Sequence, residues 1–268
     1  MAYCYFNGGV VDEQEVGLSI HNLGVHRGFG VFDFFRMRDG KYSFIQDHLD
    51  RFENSQKFIE LSHIIKQDEI REAVDTLRDW NGYKDAGFKL MLLADGKESD
   101  SELSPLFFIL HSDLTNHQPA PYASVILHEY VREYPKIKTI SYFTSNLLHR
   151  RKTKTGAIDV IYHKDNQISE ASRSNVFIIR DGVFKTPAEH ILEGITRKQV
   201  LKVASEVGKV EITNVSVDDF ITADEVFICS TLKEICPIVE IEGSPVGSGK
   251  VGPLSRKVSQ LFQQKLMD

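Results

Sequence analysis

Hydrophobic and polar positions along this chain alternate with two different periods. YCYFNGGVV reads as a hairpin around Asn7-Gly8-Gly9, and GVFDFFRMRDGKYSFI as two strands joined at Asp39-Gly40. Asn-Gly and Asp-Gly supply the positive φ that tight hairpin turns require. The period then lengthens to that of a helix. In DHLDRFENSQKFIEL, Leu49, Phe52, Phe58 and Ile59 form one apolar stripe behind Asp47, the predicted N-cap. DEIREAVDTLRDW repeats the arrangement, with Ile70, Val74 and Leu77 inward and Asp68 as cap. FKLMLLADG and PLFFILHSD return to strand.

SDLTNHQPAP then gathers turn formers and two prolines, which predicts an interdomain linker. The predicted organisation is a small domain over residues 1–114, a linker over 115–121 and a larger domain over 122–268. In the larger domain ASVILHEYV and KIKTISY read as strands, and a helical stretch follows Ser145. A hairpin of strands 176–179 and 183–184 turns at Asp181-Gly182. A helix capped by Thr196 runs to about residue 207 and is closed by Gly208, followed by strand EVFICS and a C-terminal helix SRKVSQLFQQKL. The chain contains no internal repeat and no low-complexity tract.

The composition narrows the function classes. Of 268 residues, 41% are hydrophobic and 26% charged, the balance of a soluble globular protein with a well-packed core. A formal charge of -6, with no Lys/Arg run of the length or aromatic interleaving of a nucleic-acid groove, argues against nucleic acid and leaves small molecules as partners. The three cysteines lack CxxC spacing, and the ten histidines form no HExxH pair, so neither a disulfide framework nor a metal site is expected. The opening MAYCYFNGGVVDEQEV has no basic n-region, and no stretch approaches the roughly 18 apolar residues of a membrane helix. The expectation is a cytoplasmic protein in a reducing compartment.

Four segments carry candidate chemistry. In KIKTISY, Lys138 stands in an apolar, strand-like context, where desolvation lowers an ammonium pKa and allows attack on a carbonyl to form a Schiff base. A strand-edge lysine with its ammonium in solvent is the plain alternative, and Lys136 lies on the same expected strand face. In EGITRKQVLKVASEVG, Gly194 permits close backbone approach, and the amides of Ile195 and Thr196 at a helix start suit a phosphate; an ordinary cap would look the same. In CSTLKE, Ser230 and Thr231 follow a strand and could donate to that phosphate. In QISEASRSNV, Glu170 and Arg173 stand among small residues at the mouth of a β-rich segment.

Taken in order and spacing, IKTISY, SEASRSNVFIIRDGVFKTP, ILEGITRKQV and STLKEICPIVEIEG resemble the blocks of the class-IV aminotransferases, the fold-type IV pyridoxal-phosphate enzymes. RGFGVFDFFRMRDGKYSFIQDHLDRFENS resembles the first block of that family, so the likeness spans nearly the whole chain. It implies an α/β, two-domain fold with a small N-terminal α/β domain and a larger, β-barrel-like C-terminal domain with helices. It also implies pyridoxal 5′-phosphate as cofactor, amino acids and 2-oxo acids as substrates, and a homodimer.

The resemblance further implies roles for single residues. Lys138, immediately before Thr139, would form the Schiff base with the cofactor and move the proton between substrate Cα and cofactor C4′. Glu170 would pair with the pyridine nitrogen and keep the ring an electron sink. Arg51 would bind the phosphate as a fork of donors, with Ile195, Thr196, Ser230 and Thr231 completing the cradle. Tyr142 would donate to the phenolic oxygen, and Leu192 would pack under the ring. Each has a bland reading too: a surface cation for Arg51, core residues for Tyr142 and Leu192. A fold kept without its chemistry would show first as loss of Lys138 or Glu170, and both are present.

The chain also departs from the family. Relatives hold substrate carboxylates with arginines, tyrosines or a histidine, several of them on the middle strands of the small domain and the loop beyond, whereas FKLMLLADGKESDSELSP has neither Arg nor His. Arg27, beside the strand that carries Phe32 at the expected active-site mouth, and Arg173, in EASRSN, are the candidates to neutralise that carboxylate. The alternatives are an Arg27–Asp33 pair and a surface acid beside Arg173. The missing branched-chain pattern and SRSNVF favour a D-amino acid donor with 2-oxoglutarate or pyruvate as acceptor. A branched-chain L-aminotransferase comes second and an aminodeoxychorismate lyase third.

Overall fold

The computed structural model describes residues 2–267, and the chain divides into two compact units. One runs to His117 and takes back a short later piece, Ile137–Ser141; the other comprises Gln118–Lys136 and the chain from Tyr142 onward.

The first unit is built from β1 (Tyr3–Phe6), β2 (Gly9–Asp12), α1 (Leu23–Arg27), β3 (Gly30–Arg38), β4 (Lys41–Tyr42), α2 (Ile45–Ile59), α3 (Gln67–Asn81), β5 (Ala86–Asp95) and β6 (Ser104–Asp113). Its strands form one antiparallel sheet in the order β2-β1-β6-β5-β3-β4. The β3–β4 turn holds Asp39 at φ 45° and Gly40 at φ 76°, the left-handed pair that Asp-Gly supplies. One sheet face presents Phe35, Met37, Phe88, Leu90, Phe107 and Ile109. Leu49, Phe52 and Ile59 of α2 and Ile70, Val74 and Leu77 of α3 cover it. Within that core Phe35 stacks on Phe88, and Phe88 on the buried His111.

Three details of these helices differ from the sequence expectation. Phe44, in a left-handed conformation, is the N-cap of α2, so the helix starts before Asp47. Lys66 takes that place at α3. Asp47 and Asp68 lie in the first turns instead, where they complement the positive end of the helix dipole. Phe58 is 47% exposed, because Ile59 already occupies the inward position that Phe52 sets two turns earlier.

The second unit contains β7 (Ala123–Glu129), α4 (Phe143–Leu147), α5 (His149–Thr155), β8 (Asp159–Lys164), β9 (Gln167–Ala171), β10 (Asn175–Arg180), β11 (Val183–Pro187), α6 (Ile195–Ser205), β12 (Val210–Thr213), α7 (Val217–Ile221), β13 (Glu225–Ser230), β14 (Glu234–Ile241), β15 (Ser244–Pro245) and α8 (Pro253–Met267). Its nine strands form a curled, half-barrel mixed sheet, β12-β11-β10-β13-β14-β7-β8-β9, with β15 on β14. The pairs β11–β12, β14–β7 and β7–β8 are parallel.

Strand β10 explains why NVFII is an unbroken apolar run. Val176 and Ile178 enter one core with Ile161, Val226 and Ile238, while Phe177 and Ile179 enter another with α6 and α8. A strand covered on both faces has no polar side to show. The outer core stacks Phe177 on Phe227 and closes with Val200, Val203, Val258 and Phe262.

Two further expectations change here. KIKTISY is not a strand: only Thr139 forms a bridge, to Val31. Lys136 is exposed in a turn and belongs with the second unit, whereas Lys138 belongs with the first, so the two do not share a strand face. Helix α6 is capped by Gly194 rather than Thr196 and ends at Ser205, before Gly208.

Candidate active site

Four of the residues expected at the site lie in the first unit: Arg27, Phe32, Arg51 and Lys138. The lysine segment is stitched to the start of β3. Lys138 O accepts the Phe32 N–H at 2.9 Å, and Ile140 N donates to Gly30 O at 3.1 Å. These bonds place the Lys138 ammonium 4.5 Å from the centroid of the Phe32 ring, and Lys89 brings a second ammonium to 5.2 Å from the same ring. An aromatic face attracts a cation, so the Phe32 ring helps hold the Lys138 side chain beside the start of β3.

Beside this segment β3 carries Asp33, fully buried, and α2 faces it with His48 and Arg51. Arg51 forks onto the carboxylate, with Nε to Oδ2 and Nη2 to Oδ1, each at 2.8 Å. His48 Nδ1 lies 2.7 Å from Oδ1. Burial alone would raise the Asp33 pKa, but Arg51 and His48 hold it well below the usual carboxylate range. His48 moves down as well, first by burial and then by the charges of Arg51 and Lys138, against the pull of Asp33. An ionised Asp33 and a neutral His48 put the ring proton on Nδ1, donating to the carboxylate. Asp33 therefore fixes the Arg51 guanidinium and leaves its Nη1 edge for a second anion. Arg27 does not reach Asp33; it pairs with Glu98 at 2.6 Å, both side chains exposed.

Tyr142, Glu170, Arg173, Leu192, Ile195, Thr196, Ser230 and Thr231 lie in the second unit. Glu170, on β9, is 4% exposed. Its Oε1 takes the Nε of Arg132 at 2.5 Å and its Oε2 the backbone N–H of Leu192 at 2.8 Å. Arg132 also donates to Pro135 O at 2.5 Å, so the arginine fixes both the acid and the turn that leads to the lysine. Leu192 is held on its other side by Asn175, whose Nδ2 donates to Leu192 O at 2.8 Å. Arg197, buried in the first turn of α6, donates to Thr186 Oγ1 at 3.2 Å and Pro187 O at 3.0 Å and pins the helix start to β11.

The turn between β9 and β10 is closed by an Ala171–Ser174 bridge. Ala171 N donates to Ser174 O at 2.8 Å, which leaves Ser172 and Arg173 at its tip. Arg173 is exposed, its guanidinium 5.6 Å from the centroid of Tyr142, and no acid among the described residues forms an ion pair with it. The surface acid expected as its alternative partner is not there. Tyr142 precedes α4, and burial raises its pKa. Beneath the turn, buried Asp159 accepts from Ser172 Oγ at 2.6 Å, Ser174 Oγ at 3.0 Å and Lys233 Nζ at 3.0 Å. Ser230 ends β13, and its Oγ accepts the Lys233 N–H at 3.3 Å, with Thr231 in the turn between.

The model of the family described as "Amino-transferase class IV" matches residues 30–241. A D-alanine aminotransferase of Listeria monocytogenes is 30% identical over 97% of this chain and 94% of its own length. A putative branched-chain-amino-acid aminotransferase of Methanocaldococcus jannaschii is 29% identical over the same shares. Among solved structures, the branched-chain amino acid aminotransferase from Escherichia coli superposes with a TM-score of 0.89 at 25% identity, covering 99% of this chain and 94% of that one. The chain belongs to the class-IV aminotransferases, and it is a pyridoxal-phosphate-dependent enzyme of that class.

The second unit fits such a cofactor on its own geometry. A Cβ on Gly194 would come within 2.0 Å of Asn175 Oδ1, so only glycine can bring the backbone this close. No side chain caps α6, which leaves the first amides of a buried helix start for an external acceptor. Arg132, His48, Asn175, Asp159 and Lys233 escaped sequence reasoning, and Asp33 entered it only as a partner for Arg27. Only Asp33 carried a signal, a lone carboxylate inside the aromatic run GVFDFF.

Proposed function

We propose that this enzyme transfers the amino group of a D-amino acid to a 2-oxo acid such as 2-oxoglutarate or pyruvate. The observation that carries the reading is Arg173, exposed at the tip of the β9–β10 turn, over Tyr142 and without an acid partner among the described residues. A guanidinium so placed can take a carboxylate bidentately. The loop after β5 offers no arginine or histidine to do so. The D-alanine aminotransferase relatives support the choice of donor; the branched-chain relatives support an L-amino acid donor as the second reading.

In this reading the cofactor, when bound, supplies the electron sink that acidifies the substrate Cα–H. The chain's residues do the rest. Lys138 holds the cofactor covalently at rest and then carries the proton to and from Cα. Glu170, oriented by Arg132 and the Leu192 amide, would pair with the pyridine nitrogen. Arg51 through Nη1, the amides of Ile195 and Thr196, and the hydroxyls of Ser230 and Thr231 hold the phosphate. Tyr142 donates to the phenolic oxygen, and Leu192 packs against the ring. Phe32 lines the substrate side, and Arg27 can exchange Glu98 for a substrate carboxylate. The working form is a homodimer.

The test is the half-reaction. D-alanine or D-glutamate added to the holoenzyme should convert the cofactor's visible absorbance, and L-leucine should not. Conversion by L-leucine alone overturns the choice of donor.

A further inference from the structure

The pair of buried Asp159 with the partly buried Lys233, 3.0 Å apart, is an ion pair of the second unit that the reading above does not use. Asp159 is 1% exposed and accepts at least four donors: Ser172 Oγ, Ser174 Oγ, Lys233 Nζ and the N–H of Val160 at 2.9 Å. Lys233 Nζ also donates to Ser174 Oγ at 3.1 Å. Burial alone would raise the Asp159 pKa; Lys233, then Ser172, bring it below its ordinary value, so the carboxylate stays ionised.

The connectivity of this cluster is unusual. Ser172 and Ser174 flank Arg173, so one carboxylate grips the turn on both sides of its exposed arginine. Lys233 sits in the β13–β14 turn, and its amide is bound by Ser230. The same carboxylate therefore ties the turn that carries Arg173 to the turn that carries Ser230 and Thr231.

We propose that Asp159 and Lys233 are positioning residues that set the register between the carboxylate-binding arginine and the phosphate-binding turn. The proposal rests on the reading of Arg173 as the substrate-carboxylate ligand. A buried carboxylate saturated with hydrogen bonds favours one geometry, so it holds both turns in one arrangement. A misplacement of ~1 Å in such a group can cost ~100-fold.

The experiment compares holoenzyme kinetics for Arg173→Ala, Ser172→Ala, Lys233→Met, and the double variant Arg173→Ala with Lys233→Met, with Tm recorded for each. Arg173→Ala should raise the KM of the amino donor with little change in kcat; an unchanged KM would remove the reading itself, whatever the pair does. Lys233→Met should raise the same KM about 10-fold and weaken pyridoxal-phosphate retention, and Ser172→Ala should raise KM alone. In the Arg173→Ala background, Lys233→Met should add no further rise in KM, because the arginine it positions is gone. If Arg173→Ala raises KM while Lys233→Met and Ser172→Ala only lower Tm, or if the KM effects of Arg173→Ala and Lys233→Met multiply, the pair is a structural tie and the proposal falls. Ser172→Ala removes one neutral hydrogen bond and leaves the ion pair whole, so it remains informative where Lys233→Met folds poorly.

Discussion

The carboxylate of Glu170 accepts the backbone N–H of Leu192 at 2.8 Å while its other oxygen takes Arg132. The acid is thus immobilised before any cofactor arrives, and its charge matters separately from its shape. Glu170→Gln keeps a carbonyl acceptor for Leu192 and removes the charge. The variant should retain the cofactor and lose turnover by roughly 100-fold or more, the scale of deleting one preorganised electrostatic group. Steady-state kcat beside a cofactor titration measures both; wild-type turnover would dissociate Glu170 from the chemistry.

Asp33→Asn should be costly in the first unit. It leaves Arg51 and His48 facing a neutral amide, and breaking a buried pair from one side costs on the order of 3–5 kcal/mol. Denaturant unfolding should show the loss. If Arg51 holds the phosphate, cofactor affinity should fall with it.

The two neighbouring lysines should separate cleanly. Lys138→Ala should abolish both the visible absorbance of the holoenzyme and its turnover, whereas Lys136→Ala, altering an exposed turn residue, should leave both near wild type. The opposite pattern would move the covalent attachment to Lys136.

His111 predicts acid sensitivity in a window of its own. It is buried against Phe88 and Tyr83 with no hydrogen-bond partner at either ring nitrogen, and burial pushes its pKa down to about 4 from 6.5. Above pH 6.5 the ring is neutral folded or unfolded, and it contributes no pH dependence. As the pH falls from 6.5 towards 4 only the unfolded chain binds the proton, so stability drops, by about 3 kcal/mol in total, and then levels off. His111→Phe should remove that loss, measured as Tm between pH 7 and pH 4; an unchanged slope would assign it elsewhere.

What could be read from sequence follows from how local each signal is. The hairpins at Asp39-Gly40 and Asp181-Gly182 were legible because the turn residues themselves demand the conformation. The stripe of Ile70, Val74 and Leu77 was legible because burial obeys the helical period. The start of α2 was not, since Phe44 enters a left-handed conformation that nothing in its side chain favours. Arg132 lies in an irregular segment, VREYPK, where no period marks which residue turns inward. Asp159 and Lys233 are far apart in the chain, and each alone reads as an ordinary surface charge. Only folding shows them to be partners.

The return of Ile137–Ser141 to the first unit has a consequence for heredity and for engineering. The chain changes unit after His117, after Lys136 and after Ser141. A fragment or chimera cut at His117 would keep β3 but replace or lose the residues that bond to its first positions. The lysine and the strand that aims it must therefore be inherited together, although more than a hundred residues of chain separate Phe32 from Lys138. Recombination between relatives at the obvious boundary should give chains that fold in pieces yet present a lysine made for another strand.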